Sequence, residues 1–143
     1  MINKLTPRMK NWISQMGIHV ASVNRSGWPD VFVTESCSVD EASDNSTIAF
    51  QLDNKQLQIM KANLALHPWV AVAPGQLGAV RAPYQFKGQA RIEDNFVKVD
   101  VMEIYCTKPG DEAGFRLDTL DYDQMLQFET SRWPDLNPPG IND

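Results

Sequence analysis

Val97, Val99 and Val101 alternate with Lys98 and Asp100 in the clearest period-two pattern of the chain, which predicts a strand with one buried face. The run Tyr84–Glu93 also nearly alternates and predicts a second strand, joined to the first by a turn at Asp94-Asn95. Gly88 sits in the middle of that run, where a strand prefers a side chain. Such a glycine marks a bulge, a corner or a close backbone approach. Ile18–Val23 and Val31–Val39 read as strands of one hairpin around Arg25-Ser26-Gly27, and Thr47–Leu52 and Trp69–Ala73 as two more.

Helical spacing takes over elsewhere. Thr6 offers a hydroxyl N-cap, Pro7 suits the first helical position, and Met9, Trp12, Ile13 and Met16 recur on one face before Gly17 stops the helix. Asp53 or Asn54 caps a second helix running to about Leu66, with Leu57, Ile59, Met60 and Leu64 on its apolar face and His67-Pro68 at its end. Leu120, Met125, Leu126 and Phe128 predict a third, with Asp118, Asp121 and Asp123 as charges favoured at its N-terminus. Asp40–Ser46 and Pro74–Pro83 read as loops, Pro109-Gly110 as a break, and the proline-containing tail after Trp133 as extended or mobile. Six short strands with two or three helices predict a mainly β protein, a closed antiparallel barrel with helices at its ends. At 143 residues it is one domain, with a helix in 1–16 and a helix and tail in 118–143.

Composition narrows the function classes. A net charge of −5 argues against a nucleic-acid partner, though not against a local pocket for one phosphate. Cys37 and Cys106 have no metal-ligand or CxxC spacing, which points to free thiols in a reduced cytoplasm. No apolar run reaches signal-peptide or membrane-span length, so a cytoplasmic protein without membrane contact is expected. There is no P-loop, GxGxxG or GxSxG motif. His19 and His67 read as structural, no metal site is expected, and Asp40, Glu41 and Asp44 read as a solvated loop.

Four segments, in order, carry a likeness: Val20–Val23 with Gly27-Trp28-Pro29-Asp30-Val31; Asn63-Leu64-Ala65-Leu66-His67-Pro68-Trp69-Val70; Tyr84–Ile92; and Val99–Gly114 with Lys108-Pro109-Gly110. Together they resemble the FMN-binding split-barrel family related to pyridoxamine 5′-phosphate oxidase, over about Ile13 to Leu117. The resemblance implies a six-stranded antiparallel split β-barrel and a homodimer holding FMN in clefts at the subunit interface. It implies ring-side contacts from Thr34, Glu35 and Ser36. It implies phosphate-side contacts from Gln51, Leu52, Lys55, Gln58, Lys61 and Asn63, with Gln85 and Lys87 contributing from the fifth strand. Many members carry a Lys-Thr or Arg-x-Thr pair at the start of the second helix; counting back from Asn63, those places hold Gln58, Ile59 and Met60.

A flavin carries its own redox chemistry and asks the protein for binding, orientation and electrostatics. The missing acid–base constellation is therefore compatible with an FMN-dependent oxidoreductase or electron carrier whose small-molecule redox partner the sequence does not name. The arginine-rich substrate region of the oxidase itself is absent, with Arg132-Trp133-Pro134 only a faint echo. The alternative is a non-catalytic split barrel that binds a deazaflavin, a heme or a protein partner. Trp28 reads as packing within the hairpin and Trp133 as an interface anchor.

Overall fold

The computed structural model describes residues 2–75 and 82–138. Three helices, α1 (Pro7–Met16), α2 (Asn54–Leu66) and α3 (Tyr122–Arg132), accompany seven strands: β1 (Ile18–Val23), β2 (Pro29–Thr34), β3 (Cys37–Val39), β4 (Thr47–Gln51), β5 (Trp69–Pro74), β6 (Tyr84–Glu93) and β7 (Phe96–Cys106). Every pairing is antiparallel, in the order β2-β1-β5-β6-β7-β4-β3. The two edge strands of this sheet, β2 and β3, are consecutive in the chain and separated only by Glu35 and Ser36. The sheet therefore curls until its edges meet through two residues of backbone, which is how the barrel is split yet needs no long closing loop.

Seven strands replace the expected six because the Val31–Val39 run breaks at this point. The Ser36 amide donates to Thr34 Oγ1 at 3.1 Å and the Cys37 amide to the Glu35 carbonyl at 3.0 Å, a tight local turn that interrupts the ladder. The β6–β7 hairpin is as the sequence predicts: Asp94 and Asn95 take φ of 50° and 68°, the paired left-handed geometry of a two-residue hairpin turn. The last strand runs on to Cys106 because its buried positions change parity, from Val97, Val99 and Val101 to Ile104 and Cys106. An irregularity opposite Lys87 and Gly88 absorbs the extra residue. Gly88 faces inward there, and a Cβ would lie 2.0 Å from the Asp100 carbonyl oxygen. The approach of β7 by itself requires the glycine.

The interior is a continuous apolar core from Leu5 and Trp12 to Phe86, Ile104 and Trp133. A polar node ties the terminal helices to it. Buried Glu129 on α3 accepts from Thr6 Oγ1, the N-cap of α1, at 2.8 Å and from the Tyr84 hydroxyl of β6. Burial first, and Glu129 second, push the Tyr84 phenol well above its ordinary pKa. Trp133 is 2% exposed and packs edge-on against Tyr84 and Phe128 of its own chain, so it is core rather than an interface anchor. Trp28, at 70% exposure, projects from the hairpin instead of filling it.

Smaller expectations also shift. Ile59 is exposed, and the buried stripe of α2 is Leu57, Met60 and Asn63. Asp118 lies in a separate 3-10 turn, where it accepts from Arg116 and the Ile104 amide; Asp121 caps α3 in a capping box with Gln124. In the tail, Leu136 packs against the core and its carbonyl accepts from Trp12 Nε1; residues 139–143, and 76–81 of the Pro74–Pro83 loop, lie outside the described residues. The Asp40–Ser46 segment holds one 3-10 turn capped by Asp40, whose carboxylate pairs with Lys98.

Candidate functional site

The seam where β2 turns into β3 gathers polar side chains that the sequence separates. Thr34 Oγ1 donates to the Gln51 carbonyl at 2.9 Å, the Gln51 amide donates to the Ser36 carbonyl at 3.1 Å, and Ser36 Oγ lies 3.4 Å from Gln51 Oε1. Glu35, Ser36 and Gln51 are exposed and Thr34 half-buried, so the cluster forms an open rim. Leu52 follows, packed against the core, and Asp53 begins α2. Lys55, Gln58 and Lys61 lie on the exposed side of that helix, and neither lysine has an ion pair among the described residues.

Asn63 sits elsewhere. It is 4% exposed, and its Nδ2 donates at 2.9 Å to both Ser22 Oγ and Asp30 Oδ2, pinning α2 to the β1–β2 hairpin. The Asp30 carboxylate also lies 3.5 Å from the Asn24 amide, whose oxygen accepts the Ser26 and Trp28 N–H groups of the turn. The signal was present in the sequence: 57, 60 and 63 share one helical face. Gln85 and Lys87 point outward from β6, three strands from β2 in the same chain. Lys87 Nζ stands 4.6 Å from the Tyr105 ring centroid, a cation–π contact, and the Tyr105 hydroxyl donates to Glu103 at 2.6 Å.

Between these two groups lies a feature that strand alternation alone does not flag. The outer face of β2, β1 and β5 is apolar and open: Val31 is 59%, Val33 42% and Trp69 42% exposed. Val31 pairs with Ala21, Ala21 with Ala71 and Ala71 with Lys87, so two alanines form the floor of a trough across the sheet. A shallow pocket of about 230 Å³ lies there, bounded by Val23, Pro29, Trp69 and Lys87.

No protein-family model and no curated protein matches the chain. Solved structures do. HupZ of Group A Streptococcus superposes with a TM-score of 0.59 at 19% identity, covering 77% of this chain and 99% of that one. A protein of Lactobacillus delbrueckii described as a putative pyridoxamine 5′-phosphate oxidase gives 0.56 at 19% identity, over 73% and 95%. Flavoredoxin of Desulfovibrio vulgaris gives 0.50 at 9% identity, over 77% and 78%. The fold is the pyridoxamine 5′-phosphate oxidase-like split barrel.

Within this split barrel the far outer face has different chemistry. Asp100 accepts from Arg91 at 2.7 Å and from Thr47 at 2.7 Å, and Lys98 bridges Asp40 and Glu93. Burial pushes the Asp100 carboxyl up, but the hydrogen bonds from Arg91 and Thr47 outweigh it and hold the pKa below the ordinary aspartate value. Cys37 and Cys106 are free thiols, and burial pushes both up, away from reactive thiolate. No described helix is long and apolar enough to cross a membrane.

Proposed function

We propose that this protein is a homodimeric flavin-binding oxidoreductase or electron carrier that works in the cytoplasm, with FMN as the cofactor. The observation that carries the reading is the rim at the β2–β3 seam. Thr34, Ser36 and Gln51 present hydroxyl and amide groups there, directly beside the start of a helix and along a strand whose outer face is exposed and apolar. Such donors and acceptors suit the polar edge of an isoalloxazine, and the ring needs little more from side chains to do redox chemistry. The ribityl phosphate would run toward Lys55, Gln58 and Lys61.

The trough supports the dimer. Val31, Val33 and Trp69, exposed on one sheet face, form the kind of apolar patch that marks an interaction surface. A second copy related by a two-fold axis would cover the patch with its own counterpart. It would also bring Gln85 and Lys87 of one subunit toward the rim of the other, which a single chain cannot do. The test is the absorption spectrum of the purified protein and its titration with FMN. Flavin bands and saturable uptake near one per subunit are expected, with Lys55→Ala and Lys61→Ala each weakening FMN. A colourless protein that takes up neither FMN nor riboflavin overturns the reading.

A further inference from the structure

The phosphate end of the proposed flavin site disagrees with the cofactor that the fold suggests. The start of a helix attracts an anion through its free N–H groups and positive dipole end. In α2 that position already holds one: Asp53 is the N-cap, and its Oδ1 accepts the Gln56 amide at 2.7 Å. Asp53 thus puts a carboxylate at this end of the site, against one first-turn cation, Lys55. Lys61 lies nearly two turns further along the helix. A phosphate dianion that reached the Asn54 and Lys55 amides would be pressed against the Asp53 carboxylate.

We propose that Asp53 is a specificity-determining residue that cancels the advantage of a terminal phosphate. The site then holds a flavin by its ring and ribityl chain and takes FMN and riboflavin about equally well. The inference rests on the flavin reading above. It adds to that reading a statement of which part of the cofactor the protein recognises.

Asp53→Asn tests it, because asparagine caps a helix as well as aspartate and removes only the charge. Wild type and variant are titrated with FMN and with riboflavin, following flavin fluorescence. The wild type is expected to bind the two within about threefold of each other. The variant should bind FMN about three- to tenfold more tightly, the range expected for one charge at a helix terminus, with riboflavin unchanged. Asp53→Ser, a second neutral cap, should reproduce the gain, and the thermal midpoint of each variant reports that the helix start is intact. A wild type that prefers FMN by about thirtyfold or more, or neutral-cap variants that leave the FMN-to-riboflavin ratio unchanged, overturns the inference and leaves the flavin reading standing. Failure of both flavins to bind wild type and variants overturns both.

Discussion

The two halves of the outer sheet surface are built alike and differ completely in what they leave unsatisfied. On β4, β7 and the end of β6, Arg91, Asp100, Thr47, Lys98, Asp40 and Glu93 complete one another's hydrogen bonds. On β2, β1 and β5, Val31, Val33 and Trp69 remain open around a floor of alanines. A closed charge ladder makes a face inert toward other proteins, since burying it would cost desolvation without new partners. An apolar face has the opposite property: every partner that covers it gains from the area removed from water. The sheet thus sorts its surface into a half that repels association and a half that invites it.

The sharpest way to break this contrast is to put a charge on the apolar half. Val31→Asp should leave the exposed residue's own fold intact. It should convert a dimer to a monomer by light scattering, because each subunit would bury an unpaired carboxylate costing about 3–5 kcal/mol. An unchanged dimer would show that the association face lies elsewhere. Next in size is the junction between the halves. Gly88→Ala must push β7 away from β6 and should cost about 1–3 kcal/mol by chemical denaturation, the usual price of overpacking. Asn63→Ala removes the donor to Ser22 and Asp30 and should cost about 1–2 kcal/mol while loosening hydrogen-exchange protection in the β1–β2 hairpin.

The charged half gives the smallest effect. The folded Asp100 pKa is depressed, so its contribution is fully present above the unfolded aspartate value near 3.9 and is lost as pH falls through the folded value. Asp100→Asn should therefore flatten the loss of stability in acid and cost about 1 kcal/mol or less at pH 7, as for a largely solvated pair. A variant with the same acid profile as wild type would show that the ladder is electrostatically silent.

Much of this architecture was legible in the residues. Thr6-Pro7, Asp53 and Asp94-Asn95 announce their caps and turn because each meets a local backbone requirement with a local side chain. What was hidden depends on distant partners. The break at Glu35-Ser36 is a local turn that is also tied to Gln51, fifteen residues beyond Ser36, and the extension of β7 is set by a register shift against β6. The resemblance placed Asn63 on the phosphate side; the partners its side chain reaches, Ser22 and Asp30, lie on the β1–β2 hairpin. Thr34, Ser36 and Gln51, which the resemblance assigned to opposite ends of a cofactor, meet at one seam, whereas Gln85 and Lys87 stand three strands away from β2 in the same chain.

The short passage from 31 to 36 carries one further consequence. Val31 and Val33 face the trough, and Thr34 and Ser36, one turn of backbone later, form the rim. Anything that fixes the first pair narrows the freedom of the second. In the proposed flavin-binding dimer, association and ligand uptake would then share a coupling free energy, and by reciprocity a ligand that tightened the pairing of subunits would be held more tightly by the paired form than by the single chain.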